Sequence, residues 1–488
     1  MGMQIGDIAL RQHQAESVSK FLDKRACLIG YGKRGGKTIT ALALTLRRLE
    51  TADTIGPTLI ISDKDSPWTR DVAQIGIPKD QLHLIFGGES DHSSRLKAKS
   101  VFRGLLESPQ PGHFYQIHWA GLVPDFERLA KTNWFAIIAD EAHAAKNRKA
   151  KRTKALKALH TRYKIALTAD PSDNAPQDMW SLLNWLYPKQ YTSFWKWVRQ
   201  YVEVSSKTGR HGDYFKFGAP INVEEFHKEI EPFVVVMGLE EIDPGQVDHI
   251  YEEVHVDMTP EQEQAYVSML EWQLMELGDD VVISEWPMTN YMKLQQLAQA
   301  YGEAERKQVW RWVNEDGKKV RKQVETVTIH QCEPSPKLDA IMDRLQVGDT
   351  GPTIIFSQYR GMVRLLCKRL DDAGIKYVSV LDQAESNEAE KAFQGGQFDL
   401  IVGTTGLMSE SIELGRAATV MFCDCPENPR VLGQAIGRAQ VYGKRTPIRV
   451  IHFRTRGTVD SLRLDRVRTK QQWKEALLGR EVFSNSQH

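Results

Sequence analysis

The sequence predicts an α/β protein: two domains built on parallel sheets with helices on both faces, and a helical/β-hairpin insertion between them. Three observations predict it. Short unbroken apolar runs recur along the chain, each followed by turn residues and a helical pattern, as strands buried on both faces of a parallel sheet require. These runs fall into two series. Between them, from about Asn174 to Met342, the chain is mainly helical in pattern and rich in aromatic residues.

The first series is "ACLIG" (26–30), "TLIIS" (58–62), "HLIF" (83–86), "YQIH" (115–118), "FAIIA" (135–139) and "KIALT" (164–168). The second is "TIIFS" (353–357), "KYVSV" (376–380), "DLIVG" (399–403), "TVMFC" (419–423) and "IRVIHF" (448–453). In the middle, "MWSLLNWLYPKQYTSFWKWVRQYV" reads as helix, and "KQVWRWVNEDGKKVRKQVETVTI" alternates around an Asn-Glu-Asp-Gly turn and reads as a β-hairpin. The expected boundaries are an N-terminal domain over 1–238 and a C-terminal domain over 239–488, with the insertion around 174–331.

The chain has 488 residues, enough for two or three domains with their own cores, and its formal net charge of +1 gives no bulk attraction to a polyanion. A local excess does exist: residues 428–480 hold 13 Lys/Arg against 3 acids, which favours phosphate contact. A solvated basic helix has the same composition. Five scattered cysteines, Cys27, Cys332, Cys367, Cys423 and Cys425, lack the paired spacing of a zinc site and point to a reducing compartment. The opening "MGMQIGDIALRQHQ" has no apolar signal core, and no apolar span reaches membrane length. A soluble, cytoplasmic protein that makes no use of membrane is expected.

Two stretches carry chemistry. In "CLIGYGKRGGKTITALAL" a strand runs into a Gly-rich loop, then Gly36-Lys37-Thr38, then an apolar helix. Glycines free backbone N–H groups to curl around phosphate, a lysine reaches the terminal phosphates, and a threonine hydroxyl can hold Mg²⁺. The strict spacing puts its first glycine at position 31, where this chain has Tyr31, flanked by Gly30 and Gly32. In "FAIIADEAHAAKN", Asp140 and Glu141 fall at the C-terminal end of a predicted parallel strand, where open α/β sheets place their ligands. In a phosphate-loop nucleotidase one such acid holds Mg²⁺ and its neighbour orients the attacking water. The two stretches together predict an ATP–Mg²⁺ site.

The ordered series "LRQHQ" (10–14), "GKRGGKT" (32–38), "DEAHAAKN" (140–147), "LTADP" (167–171), "IIFSQ" (354–358) and "QAIGRA" (434–439) resembles a superfamily 2 helicase. More narrowly it is similar to the SWI/SNF-like ATPases, with a DEAH box, and to their compact bacterial or phage members. Lys146-Asn147, "WSLLNWLYP" (180–188), "MTPEQEQAY" (258–266), "SPKLDAIMDRL" (335–345) and "GTVDSLRLDRV" (457–467) carry the narrower likeness. It implies two RecA-like domains with ATP in the cleft between them, and an ATP hydrolase that translocates on DNA and remodels duplex or branched DNA. A strand-separating helicase on single-stranded DNA or RNA is the alternative. An ATP-gated binding clamp with low turnover is a third reading. The protein is expected to be monomeric.

Residue by residue, the resemblance assigns Arg11 and Gln14 to the adenine, Gly32, Gly35, Gly36, Lys37 and Thr38 to the phosphates, and Thr38 and Asp140 to Mg²⁺. Glu141 becomes the water-orienting base, and His143 and Thr168 the coupling residues, although Ala169 and Asp170 replace a Gly and a Thr of the family pattern. Gln434 and Arg438 match the motif that reaches the γ-phosphate, with Arg438 as arginine finger. Where the family has a second arginine stands Val441, with Arg445 and Arg430 as possible substitutes. Ser409, Ser411 and Glu413 replace two glycines and an Asn of another motif. Strand-gripping loops map onto Ser62, Lys64 and Trp68, then Gln358, Thr404 and Thr405; such contacts position a backbone without reading bases. Trp310 and Trp312 of the hairpin are candidates to enter a duplex or fork, or to pack on one sheet face.

Overall fold

The computed structural model describes residues 3–6, 8–32, 35–62, 68–85, 92–168, 176–209, 212–245, 249–277, 288–315, 318–426, 428–441, 443–460, 469 and 472. It divides into two compact units, Met1–Gly245 and Gln246–Thr469.

In the first unit, β1 (Gln4–Ile5) and β2 (Ile8–Ala9) form a short antiparallel pair. The main sheet contains β3 (Ala26–Tyr31), β4 (Thr58–Ser62), β5 (Leu82–Leu84), β6 (Phe114–His118), β7 (Trp134–Ala139), β8 (Thr161–Leu167) and β11 (Val234–Met237). Its order is β11-β3-β8-β7-β4-β6-β5, with every pairing parallel. Because strand side chains alternate, neighbouring residues feed opposite cores. Leu28, Leu59 and Ile137 join one buried cluster, while Ile29, Ile60 and Ile138 join the other. The first cluster packs beneath Trp180, Trp185 and Trp197.

Helix α1 (Gln12–Phe21) precedes β3 and α2 (Lys37–Thr51) follows it. They are tied by Arg48, only 2% exposed, whose guanidinium donates to the carbonyls of Phe21, Leu22 and Lys24 at 2.7, 3.3 and 2.6 Å. A cation there meets the negative end of α1 and satisfies its last carbonyls. Its face also stacks 4.3 Å from the Tyr163 ring centre.

In the second unit, β12 (Ile250–Val256), β15 (Thr353–Ser357), β16 (Val378–Val380), β17 (Leu400–Thr404), β18 (Thr419–Phe422) and β19 (Arg449–Thr455) form a parallel sheet ordered β12-β19-β18-β15-β17-β16. Ile354 and Phe356 enter one core and Ile355 the other. Each apolar run read as a strand coincides with one, except that of "HLIF" only His83 and Leu84 are in β5, Ile85 lies beyond it and Phe86 is outside the described residues; both sheets are parallel with helices packed on them.

The middle of the chain is less uniform than its helical pattern implies. It contributes β11 and β12, one edge strand to each sheet. It also forms an antiparallel hairpin, β9 (Val202–Gly209) with β10 (Gly212–Pro220), besides the expected hairpin of β13 (Gly302–Glu315) and β14 (Lys318–Gln331). Among the described residues no helix is long and apolar enough to cross a membrane.

Candidate nucleotide site

The phosphate loop is set by its neighbours. β3 ends at Tyr31 and α2 begins at Lys37. Gly32 N–H donates to the Met237 carbonyl at 2.8 Å, and Gly35 N–H to that of Gly32 at 3.1 Å. Gly36 caps α2 at φ 81°, and a Cβ there would stand 2.2 Å from Gln14 Nε2. Both facts demand glycine. Lys37 Nζ crosses the loop to the Tyr31 carbonyl at 3.0 Å. Thr38 lies in the first turn of α2, 8% exposed.

Tyr31, in place of the first glycine, turns into the core. Its hydroxyl lies 3.1 Å from the His13 carbonyl, to which it donates, and 2.5 Å from Ser17 Oγ, whose hydroxyl can donate in return, and burial pushes the phenol up to about 12. The departure from the strict motif thus ties the loop's stem to α1. His13 adds a second tie, Nε2 to the Gly35 carbonyl at 2.9 Å, and burial lowers its pKa. Sequence reading missed His13, whose only signal is its place beside Gln14.

Gln14 uses both ends of its amide: Oε1 accepts from Arg11 N–H at 2.9 Å and Nε2 donates to the Gly36 carbonyl at 3.2 Å. Gln14 is 4% exposed and braces the loop, whereas Arg11 is exposed at the start of α1.

β7 delivers the acids. Asp140 N–H donates to the Ile61 carbonyl at 2.8 Å, which holds it at the strand end. Two indoles converge on it: Trp68 Nε1 donates to Oδ2 at 3.0 Å and Trp119 Nε1 to the backbone carbonyl at 2.8 Å. Glu141 N–H reaches Oδ1 at 2.9 Å. Burial, then the Glu141 charge, push the Asp140 carboxyl up to about 6, against the pull of Lys37 and the Trp68 hydrogen bond. In the sheet a single strand, β8, separates β3 from β7.

Glu141 sits at φ 46°, left-handed and without glycine's freedom, the kind of local strain that marks functional turns. Its carboxylate stands 3.1 Å from His143 Nδ1, which is 3.5 Å from Thr168 Oγ1 at the end of β8. His143 Nδ1 therefore lies within reach of both Glu141, the expected base, and Thr168, the other expected coupling residue. Ala169 and Asp170 lie outside the described residues.

In the second unit Gln434 and Arg438 occupy one face of the helix Pro429–Ala439, four residues apart. Gln434 is buried and Arg438 half-buried, and the Arg438 carbonyl accepts from Leu414 N–H at 3.0 Å. Val441, where a second arginine was sought, is seated against Gly415, whose added Cβ would lie 2.3 Å from Val441 Cγ1. Lys444 Nζ spans the carbonyls of Gly415, Ala417 and Ala439 at 3.0, 2.5 and 3.1 Å. An apolar side chain suits that packed turn; Arg445 is exposed, and Arg430's side chain is outside the description.

The expected strand-gripping residues need correction. Trp68 is fully buried beneath Asp140 and offers no surface to a strand. Ser62, also fully buried, accepts from Gln116 Nε2 at 2.6 Å. Gln358 Nε2 is turned to Asp424 Oδ1 and the Cys425 carbonyl at 2.6 and 3.2 Å, and Thr404 and Thr405 are buried. Trp68, Ser62 and Gln358 are thus spent on partners inside the fold, whereas the buried Thr405 hydroxyl has no hydrogen-bond partner among the described residues. Lys64 lies outside the described residues.

Two parallel sheets, with a phosphate-type loop and an acid pair at the strand ends of one, are the architecture of a nucleotide-using ATPase core. Comparison with known families agrees. The family model described as SNF2-related domain matches residues 20–304, and that described as Helicase conserved C-terminal domain matches residues 336–443. The first spans more than half the chain, and the protein belongs to the SNF2-related family.

Similar proteins include the chromatin-remodeling ATPase INO80 of Cryptococcus neoformans, 26% identical over 239 residues, 48% of this chain and 13% of that one. The transcription regulatory protein SNF2 of Saccharomyces cerevisiae is 23% identical over 454 residues, 89% of this chain and 25% of its own. The chromodomain-helicase-DNA-binding protein 1-like of Danio rerio is 23% identical over 495 residues, 98% of this chain and 45% of its own. The chain thus spans less than half the length of each. Among solved structures, the Pyrococcus furiosus Hef helicase domain covers 93% of this chain at 16% identity and TM-score 0.52, with 97% of its own length matched. The likeness bears on the fold, and both sheets are those of tandem RecA-like domains.

Proposed function

We propose that the protein is a DNA-dependent ATPase that couples ATP hydrolysis to translocation on DNA and remodelling of duplex or branched DNA. The observation that carries the reading is that one parallel sheet sets the loop between β3 and α2, with Lys37 at the start of α2, and Asp140 and Glu141 just past β7, with Glu141 in a left-handed turn. Lys37 exchanges its loop carbonyl for a terminal phosphate, and the N–H groups at the start of α2 face the same anion. Glu141, positioned by His143, orients the attacking water. We assign Gln434 and Arg438 to the γ-phosphate, where cationic charge lowers the barrier to phosphoryl transfer by stabilising the departing charge.

The donor set suits Mg²⁺. Thr38 and Asp140 are hard oxygen donors of the kind Mg²⁺ takes, one in the first turn of α2 and the other just past the end of β7. Thr38 and Asp140 would hold the ion, which would supply positive charge beside the phosphates. The family relationship supports DNA as the partner, and the names of the relatives supply chromatin only for those proteins.

The test is steady-state phosphate release with no nucleic acid, single-stranded DNA, duplex, fork, four-way junction and RNA. Duplex or branched DNA is expected to stimulate most, and Lys37→Ala to reduce turnover at least about a hundredfold. Strongest stimulation by single strands or RNA makes the protein a strand-separating helicase. Nucleotide-dependent DNA binding without turnover makes it a clamp.

A further inference from the structure

The hairpin of β13 and β14 is anchored at its base and bare further out. At the base Val327 and Ile329 are 8% and 6% exposed and join a core with Tyr266, Leu294 and Leu297. Cross-strand partners share a face, so the register carries that face outward: Ala304 opposite Ile329, Arg306 opposite Val327, then Trp310 opposite Gln323 and Trp312 opposite Arg321. Yet Trp310 is 58% exposed. A tryptophan on the buried face of a sheet should be covered; this one is not. The Arg321 guanidinium lies 5.7 Å from its ring centre, so a cation sits beside a ring that is still more than half exposed. Residues 309–324 hold five Lys/Arg against two acids in a chain of net charge +1.

We infer that this hairpin is a nucleic-acid arm: Trp310 stacks on an unpaired base at a DNA branch, and Arg321 with neighbouring basic residues takes the adjoining phosphates. An exposed aromatic ring beside basic charge fits a base next to a phosphate, and the surplus positive charge argues against an apolar protein partner. The inference rests on the reading that the chain works on DNA.

The test uses the full chain and fluorescence anisotropy of two labelled DNAs, a fork with single-stranded arms and a blunt duplex, without nucleotide. Trp310→Ala should weaken fork binding about tenfold and blunt-duplex binding less than about twofold, while Trp310→Phe keeps most of the fork affinity, since loss of one base–aromatic stack has that scale. Arg321→Glu should weaken both DNAs and flatten the salt dependence. Unchanged fork binding by Trp310→Ala overturns the arm, as does equal weakening on both DNAs. Phosphate release measured in parallel separates the two readings. Native protein that binds forks but is not stimulated by any DNA refutes the DNA-dependent ATPase and leaves the arm standing. DNA-stimulated turnover with Trp310→Ala indistinguishable from native removes the arm alone. Native protein that does not bind DNA at all removes both.

Discussion

Trp68 looks from the sequence like a surface aromatic in a polar loop, and in the fold its indole is a hydrogen-bond donor held under Asp140. Removing that donor leaves the Oδ2 oxygen short of a partner and the carboxylate free to turn. Outer partners of metal-binding carboxylates typically matter about 10- to 100-fold in metal affinity. Trp68→Phe should therefore raise the Mg²⁺ concentration needed for tight binding of a fluorescent ATP analogue by roughly tenfold. Its DNA binding without nucleotide should match native protein; a selective loss there would return Trp68 to the DNA surface. Glu141 shows the complementary case. Its acid identity was legible, but its left-handed backbone and its contact with His143 were not.

At the scale of elements, the loop between β3 and α2 and the end of α1 are one assembly. Gly36 is held to glycine by φ 81° and by Gln14, so Gly36→Ala should cost about 1–2 kcal/mol from the left-handed backbone alone, before the clash is added. A urea midpoint lowered by that amount, with ATP affinity lost more steeply, is the expected result. Arg48 closes the other end of α1. Arg48→Met leaves buried carbonyls of Phe21, Leu22 and Lys24 without their donor, and a loss of roughly 2–3 kcal/mol in stability is expected from charge-assisted bonds of this kind. Arg48→Lys should recover part of it, and a neutral outcome would mean that the desolvation cost of the buried guanidinium cancels its bonds.

Across the whole molecule, each unit is closed by contacts between residues far apart in the chain. In the second unit Lys337, fully buried, donates to Asp460 Oδ2 at 2.5 Å and to the Cys423 carbonyl at 2.9 Å, joining the helix Pro336–Val347 to the ends of β18 and β19. Breaking such a pair strands a buried charge. Lys337→Met should cost roughly 3–5 kcal/mol, and adding Asp460→Asn should return much of it. Amide exchange would place the loss in β15, β18 and β19; protection unchanged there would mean that the pair is dispensable. The two tolerated sequence departures, Tyr31 and Val441, have the same explanation at this scale. Each is seated in packing that a glycine or an arginine would not fill, against α1 in one case and Gly415 in the other.

The strands inside each sheet were legible because burial on both faces demands apolar runs, and "FAIIA" or "TIIFS" can satisfy nothing else. The edge strands were not. β12, "IYEEVHV", is half polar because one side meets no partner strand, and β9–β10 falls in the stretch whose pattern reads as mainly helical, its Val204 and Phe217 packing on a core that the chain pattern alone does not reveal. The phosphate loop and the Asp-Glu pair were legible for a different reason: their chemistry needs particular residues at fixed local spacing. The partners that orient them are set by no local spacing. Trp68 meets Asp140 and His143 meets Thr168 across strand ends that the order of the parallel sheet brings together, and His13 meets Gly35 where α1 packs against the loop. Sequence by itself determined the class of fold and the chemistry available at the strand ends. Tertiary structure decided which polar side chains face a ligand and which are spent holding others in place, because burial and hydrogen-bond satisfaction are properties of the packed chain.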